Sequence, residues 1–147
     1  MEATFRAMET QYRHLFESNP QPMWVYDLDT LKFLAVNEAA IRQYGYSRVE
    51  LLSMTIKDTC PPEDTPELLK RVAQLTESLN EPMVWRQLKK DGTLIDMEVR
   101  SEGLIFDGRC AALVMATDVT ERWRAEAALR ASEERLKSTM DSMLEGG

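Results

Sequence analysis

The chain is short of the residues that usually build metal, disulfide and membrane-spanning sites. Its 147 residues include two cysteines, Cys60 and Cys110, and one histidine, His14. Two cysteines without a CxxC pair indicate neither a disulfide framework nor a zinc site. No apolar run reaches the roughly 18 residues that a membrane span needs. We therefore expect a soluble, cytoplasmic chain with no metal site and no direct membrane insertion.

Basic charge is also scarce. The chain has 18 lysines and arginines against 25 aspartates and glutamates, for a formal net charge of −7. No block of lysine and arginine forms the basic stripe that a phosphate backbone requires, so a nucleic-acid partner is not expected. The length is enough for one domain with its own apolar core and a short appendage.

The first half of the chain alternates helical and extended patterns. Apolar residues spaced by three and four predict an amphipathic leader helix that Asn19-Pro20 ends. Two β-prone runs, residues 23–26 and 32–36, flank a turn rich in Asp and Thr and predict a hairpin. Asn37 then offers an N-cap for a short helix.

Two more helices are expected before the period of the sequence changes. Ser47 and Glu50 have the spacing of a capping box, which predicts a second short helix directly after the first. A third helix is expected to begin at Asp64 or Thr65 and to run to about Ser78.

The second half has the two-residue period of antiparallel strands. Runs at residues 83–88, 93–101 and 110–116 are separated by Asp-Gly turns. In the middle run apolar and charged residues alternate, so Asp96 is expected on the solvent-exposed face of the strand. The last run is apolar on both faces and should lie in the middle of the sheet.

The C-terminal part predicts one long helix, because residues 121–143 contain no glycine or proline. Residues 132–142 also resemble residues 8–18, which suggests that this helix begins a following domain of the same kind. Together with an apolar face on the leader helix, a sparse heptad pattern predicts parallel pairing of two copies, and hence a homodimer. The residues of these two faces are Leu129, Leu136 and Met143, and Phe5, Met8, Tyr12 and Leu15.

Six short motifs in one order carry a resemblance to a known family. They are Val25-Tyr26-Asp27, Val36-Asn37-Glu38-Ala39-Ala40, Tyr44-Gly45-Tyr46-Ser47, Trp85-Arg86-Gln87, Lys90-Asp91-Gly92-Thr93 and Thr117-Asp118-Val119-Thr120-Glu121-Arg122. Over residues 8–124 the chain resembles a PAS domain in register. The resemblance implies an α+β fold with a five-stranded antiparallel sheet in the spatial order 2-1-5-4-3. Short helices are then expected to cover one face of the sheet and to enclose a small cavity.

The same resemblance divides the chain into three parts. Residues 1–19 are expected to form an N-terminal amphipathic flanking helix, and residues 20–120 the PAS domain itself. Residues 121–147 are expected to form an output or linker helix of coiled-coil type, or the start of a following PAS repeat.

PAS domains are mostly sensory and dimerising modules of bacterial signalling proteins. The resemblance therefore implies a module, not itself an enzyme, that senses a small molecule and relays the signal to an output domain in the same chain. A sensor histidine kinase is the expected parent protein. Two alternatives stay open: a ligand-free module for dimerisation and relay, and the input domain of a cyclic-di-GMP enzyme. A catalytic fragment would need His14 as phospho-acceptor, and Leu15 stands where that pattern has an acidic or polar residue.

The cofactors of coloured PAS domains match this sequence poorly. The flavin-bonding cysteine of LOV-type domains falls on Ile56, and the chromophore cysteine of photoactive yellow protein falls on Pro62. Haem-binding members usually have a histidine near the third helix, where this chain has none. FAD-binding members often show Trp-x-Gly-x where this chain has Trp85-Arg86-Gln87-Leu88. Haem and LOV-type FMN are therefore not expected, FAD is disfavoured, and the ligand is unidentified.

The resemblance also assigns roles to individual residues. It implies a cavity lined by Val25, Ile41, Tyr44, Ile56, Leu69, Val72, Trp85 and Met115. Asp118-Val119-Thr120 is similar to the Asp-Ile-Thr motif that joins the last strand of PAS domains to the output helix. Asp118, Thr120 and Arg122 are therefore expected to relay the signal, although the same residues can also cap the start of the helix.

Overall fold

The structure of the protein is a computed structural model that describes residues 11–74 and 81–145. Within these ranges the strands are β1 (Met23–Asp27), β2 (Phe33–Val36), β3 (Met83–Leu88), β4 (Leu94–Phe106) and β5 (Arg109–Asp118). The helices are α1 (11–18), α2 (Glu38–Tyr44), α3 (Arg48–Leu52), α4 (Thr65–Ala73) and α5 (Thr120–Glu145). Two 3-10 turns, Ile56–Thr59 and Pro62–Asp64, connect α3 to α4.

The strands form one antiparallel sheet in the order β2-β1-β5-β4-β3, which confirms the predicted fold class and strand order. β1 and β2 form the predicted hairpin. The Asp27 carboxylate closes its turn by accepting hydrogen bonds from the backbone N–H groups of Asp29 (2.7 Å) and Thr30 (3.2 Å). β5 is the central strand, as its apolar run predicted.

β4 pairs with different neighbours along its length. Residues 94–99 pair with β3, and residues 97–106 pair with β5. Only residues 97–99 therefore have a strand on both sides. β4 continues beyond its predicted end at residue 101, because its ladder with β5 extends to the Asp107-Gly108 turn.

The register of the sheet decides which strand residues reach the core. Trp24 in β1 pairs with Val114 in β5, and both are buried on the face that the helices cover. The Trp24 ring makes edge contacts with the rings of Phe33 and Tyr44, at centroid distances of 6.3 and 5.7 Å. Val25, the neighbour of Trp24, lies on the opposite face of the sheet.

Asn37 is the N-cap of α2, as predicted, and it is also fully buried. Its Oδ1 accepts hydrogen bonds from the backbone N–H groups of Ala40 (3.0 Å) and of Met23 in β1 (3.0 Å). Its Nδ2 donates to the carbonyls of Phe16 in α1 (3.0 Å) and of Gln21 (2.9 Å). One side-chain amide therefore joins α1, β1 and α2.

The boundary between α2 and α3 follows local signals in the sequence. Gly45 ends α2 with φ at 81°, a left-handed conformation that favours glycine, and its N–H donates to the Ile41 carbonyl (3.0 Å). The predicted capping box of α3 is confirmed. Ser47 Oγ accepts from the Glu50 N–H (3.1 Å), and the Glu50 carboxylate accepts from the Ser47 N–H (3.0 Å).

Two expectations for the helices and strands are wrong. α4 ends at Ala73, where the N–H of Gln74 closes the last turn, whereas Ser78 lies outside the described residues. Asp96 is buried rather than on a wet face, because the first turns of α5 pack against it and Arg124 pairs with it. The predicted long helix is confirmed as α5, none of whose residues is buried. In residues 11–74 and 81–145, no helix combines the length and apolar composition of a membrane span.

Replacing Asn37 with alanine should lower the free energy of unfolding by about 3 kcal/mol. An N-cap contributes about 1 kcal/mol, and each buried partner left unsatisfied costs about 1 to 3 kcal/mol. Ser47→Ala removes an exposed N-cap and should cost only about 1 kcal/mol. Urea unfolding followed by circular dichroism compares the two variants. Equal losses would show that Asn37 acts only as a local cap.

Candidate functional site

A partly open cavity of about 70 Å³ lies between the helix-covered face of the sheet and the segment from the first 3-10 turn to α4. Its wall is mainly apolar and aromatic, with a few polar side chains. The residues that line it are Trp24, Tyr26, Ile56, Thr59, Cys60, Leu68, Arg71, Val72, Glu81, Met83, Trp85, Arg86, Gln87, Val99, Ser101 and Val114.

The structure brings three of the predicted lining residues, Ile56, Val72 and Trp85, to this cavity. They come from three separate elements, since Ile56 begins the first 3-10 turn, Val72 lies in α4 and Trp85 lies in β3. Their part in binding a ligand stays a prediction.

The prediction is wrong for the two lining residues taken from β1 and β5. Val25 lies on the opposite face of the sheet, where it lines a groove with Leu113. Met115 is next to Val114, and successive residues of a strand point to opposite faces. Trp24 and Val114 therefore line the cavity in place of Val25 and Met115.

Three residues predicted from the helices also lie outside the cavity wall. Ile41 packs against the core instead. The Tyr44 hydroxyl donates a hydrogen bond to the side-chain oxygen of Gln87, and Gln87 rather than Tyr44 lines the cavity. Leu69 is 43% exposed, whereas the adjacent Leu68 lines the cavity together with Val72, which is one helical turn away.

Sequence reasoning missed Tyr26, Ser101 and Arg71. The pairing of β1, β5 and β4 places Ser101 opposite Val114, so the register would have identified it once one inward residue was known. Arg71 is three residues from Leu68, a spacing that puts it on the same side of α4 as Leu68. A charged residue on that side was not expected.

Burial and charge control the titratable groups of the cavity. Burial raises the pKa of Tyr26 to about 12. Burial, and then the charge of Asp64, raise the pKa of the Cys60 thiol, so this thiol is not an activated nucleophile. Asp64 accepts hydrogen bonds from the Arg86 guanidinium (2.8 and 3.0 Å), and Glu63 accepts a further one (3.3 Å). Asp64 therefore binds Arg86 rather than capping α4.

The three predicted relay residues lie at the junction of β5 and α5. Asp118 Oδ1 accepts hydrogen bonds from the Thr120 hydroxyl (2.6 Å) and backbone N–H (3.0 Å). Asp118 Oδ2 accepts from Gln43 Nε2 of α2 (2.8 Å). Arg122 lies 3.8 Å from the Glu98 carboxylate of β4. Burial opposes ionisation of Asp118, but the hydrogen bonds from Thr120 and Gln43 outweigh it and hold its pKa below the ordinary value.

Asp96 and Arg124 also belong to this junction, and sequence reasoning did not identify them. The Asp96 N–H donates to the Thr120 hydroxyl oxygen (2.9 Å), and the Asp96 carbonyl accepts from the Val119 N–H (2.9 Å). The Asp96 carboxylate accepts from Arg124 Nε (3.3 Å). Both backbone and side chain of one β4 residue therefore hold the start of α5.

The residues of the predicted dimer faces are exposed. In α5 the exposed fractions of Leu129, Leu136 and Met143 are 60%, 63% and 72%. In α1 Tyr12 and Leu15 are 67% and 58% exposed. Phe5 and Met8, the other two residues of the leader-helix face, lie outside the described residues.

The sheet face opposite the cavity carries an apolar groove of about 880 Å³ beside α1. Val25, Leu104 and Leu113 supply its floor. Glu17 at the end of α1 accepts two hydrogen bonds from the Arg48 guanidinium (2.6 and 2.8 Å), which fixes α1 at the edge of this groove.

Within the described ranges, no group of three or more His, Cys, Asp or Glu side chains is placed to hold a metal ion.

Comparison with known proteins gives one family and several structural neighbours. A family model described as PAS fold matches residues 10–119. The methyl sulfide methyltransferase-associated sensor of Methanosarcina acetivorans is 24% identical over 130 residues, which are 88% of this chain and 13% of that protein. The PAS domain of an HTR-like protein from Haloarcula marismortui gives a TM-score of 0.69 at 19% identity, with 80% of this chain and 96% of that chain covered. A PAS domain from a two-component sensor histidine kinase gives a TM-score of 0.65 at 23% identity, with 77% and 98% covered.

Tyr26→Phe should remove part of the loss of stability at high pH. The folded-state pKa of about 12 lies above the ordinary 10.0, so the unfolded chain ionises first. The stabilisation that the neutral Tyr26 phenol provides is complete below about pH 10 and is lost as the pH rises towards 12. By pH 11 the loss should amount to about 1 kcal/mol of unfolding free energy.

Urea unfolding between pH 8 and pH 11 measures this effect, with Tyr46→Phe as the matched control. Parallel pH curves for wild type and Tyr26→Phe would show that the Tyr26 phenol is not held in its neutral form by burial.

Proposed function

This chain belongs to the PAS fold family, and from that premise we propose that it is the ligand-sensing module of a multidomain signal-transduction protein of the sensor histidine kinase type. The family model covers residues 10–119, which confirms the family that six sequence motifs indicated. The relative from Methanosarcina acetivorans is named a sensor, and the match spans 13% of its length. One structural neighbour comes from a sensor histidine kinase. Catalysis would then belong to another part of the parent protein.

The observation that carries this proposal is that one strand lines the cavity and also holds the output helix. Val99 and Ser101 of β4 line the cavity, and Asp96 of the same strand binds the start of α5. Asp96 and Val99 are three residues apart, which is about 10 Å along a strand. A ligand that displaces the cavity part of β4 therefore also displaces the residue to which α5 is bonded.

A second connection runs through α2. Its last residue, Tyr44, is bonded to Gln87 of the cavity wall, and Gln43 is bonded to Asp118. Asp118 in turn holds the first residue of α5, Thr120. Both connections, the one through β4 and the one through α2, therefore end at the first residues of α5. Each hydrogen bond contributes about 1 kcal/mol, which is comparable with the roughly 1 to 3 kcal/mol of a typical coupling free energy.

We also propose that the chain acts as a homodimer through α5. The exposed leucines and methionine of its heptad pattern leave an apolar stripe that a second copy of the helix would cover. Parallel pairing of two such helices gives a rotation or shift at the start of α5 a path to an output domain. A ligand-free dimerisation module would use the same helix, and the cavity favours the sensing role.

Leu136→Glu should abolish a weak, concentration-dependent dimer of this chain. The substitution places a charge in the apolar stripe, whereas Ala131→Glu lies outside the heptad seam and serves as the control. Sedimentation velocity over a range up to high micromolar concentration measures the association. A wild-type chain that stays monomeric throughout, or equal effects of the two variants, would contradict the proposed interface.

Asp118→Ala and Thr120→Ala in the full-length parent protein should change the output activity while the domain stays folded. Each removes helix-start hydrogen bonds worth about 0.5 to 2 kcal/mol, too little to unfold a stable domain. Ser138→Ala is the control, because Ser138 is an exposed residue of α5 that lies outside the heptad seam and far from the junction. The measurements are the melting temperature and the output activity with and without stimulus. Wild-type activity and response in both junction variants would leave these residues as helix caps alone.

A further inference from the structure

The cavity volume sets the size of the molecule that the cavity can take. A cavity of about 70 Å³ has room for about five water molecules, at roughly 10 to 15 Å³ each, or for a compound of about five non-hydrogen atoms. Drug-sized ligands and large cofactors occupy roughly 300 to 1,000 Å³. The cavity as it stands therefore suits a molecule of the size of a short-chain metabolite.

The chemistry of the wall sets a second limit. The indole rings of Trp24 and Trp85 and the side chains of Val72 and Val114 make one part of it apolar. A short hydrocarbon chain fits such a surface, because its burial is favourable and no polar group is left unpaired.

Two arginines lie in the same wall and differ in their partners. The Arg86 guanidinium is occupied by Asp64 and Glu63. Arg71 lies half-buried in α4, and its guanidinium has no hydrogen-bond or ion-pair partner among residues 11–74 and 81–145. A guanidinium presents a planar fork of donors that matches a carboxylate in two parallel hydrogen bonds. Among the residues that the structure describes, Arg71 is therefore the cation of this wall without a partner, and its guanidinium can bind an anion.

Glu81 is the remaining charged group of the lining and is exposed. Its carboxylate is solvated and repels an anion only weakly in a medium of high dielectric constant. A ligand with an ammonium group beside its carboxylate could contact Arg71 and Glu81 together. A carboxylate is the part that both kinds of ligand share.

From these observations we propose that the cavity binds a short-chain carboxylate of about five non-hydrogen atoms, whose carboxylate is held by Arg71 and whose hydrocarbon part lies against the two indole rings. This inference rests on the proposed sensory function and names the chemical class of its ligand.

The test compares three probes of five non-hydrogen atoms each: propionate, its neutral analogue propionamide, and the zwitterion glycine. Each is titrated up to about 10 mM into this chain, and binding is measured by calorimetry and tryptophan fluorescence. The variants are Arg71→Gln and Arg71→Lys. Arg100→Gln is the matched control, because Arg100 is exposed and pairs with Met115 on the far side of the sheet. Melting temperatures verify that each variant is folded.

Propionate should bind at least about tenfold more tightly than propionamide, as expected for a charge-assisted bidentate pair. Arg71→Gln should remove this preference, Arg71→Lys should keep part of it, and Arg100→Gln should leave it unchanged. Tighter binding of glycine than of propionate, again lost in Arg71→Gln, would also support the inference and would add Glu81 to the site.

Equal binding of propionate and propionamide, a preference that survives Arg71→Gln, or no binding of either carboxylate would overturn the inference. If Arg71→Gln fails to fold, Arg71→Lys decides, since an unchanged propionate affinity there would exclude the bidentate contact. These outcomes are separate from those of the proposed function. If no carboxylate binds and the Asp118 and Thr120 variants still change the output of the parent protein, only the ligand class is wrong.

Discussion

The buried amide of Asn37 is the interaction on which the rest of this structure depends. Away from water an unpaired amide is costly, so its one oxygen and one nitrogen must both find backbone partners. They find them in three segments, α1, β1 and α2, which are separated along the chain by residues 19–22 and by the rest of the β1–β2 hairpin. Satisfying this side chain therefore fixes where the leader helix meets the sheet and where α2 begins. The position of α2 in turn sets Tyr44 against the cavity wall and Gln43 against Asp118.

The cavity and the start of α5 share one strand of the sheet. β4 supplies Val99 and Ser101 to the cavity wall, and its Asp96 is hydrogen-bonded to Thr120 and Arg124 of α5. α2 is connected less directly, because Tyr44 reaches the wall through Gln87, and Gln43 reaches Thr120 through Asp118. The connection through β4 therefore needs no intermediate side chain. The free energy of these hydrogen bonds, about 1 kcal/mol each, is comparable with a typical coupling free energy. A few of them can therefore be rearranged without unfolding the domain.

Much of the fold followed from the sequence because its signals are local. The Asn37 cap, the box of Ser47 and Glu50 and the Asp-Gly turn before β5 each involve residues a few positions apart. The sequence could not predict which residues of β1 and β5 point towards the core. Both strands are apolar at successive positions, so there is no alternation of apolar and polar residues to distinguish the inward face from the outward face. Val25 and Met115 were misplaced for this reason. Asp96 was placed on a wet face because its partner, Arg124, is 28 residues away and belongs to another element.

The offset pairing of β4 has a mechanical consequence. β3 is the edge strand of the sheet and shares six residue pairs with β4, whereas β4 and β5 share ten. Met83, Trp85 and Gln87 of the cavity wall therefore lie on a strand whose separation from β4 would break fewer ladder hydrogen bonds than separation of β4 from β5. Trp24, Tyr26 and Val114 lie on the two strands in the middle of the sheet. The cavity thus has one side on the edge of the sheet and one side at its centre.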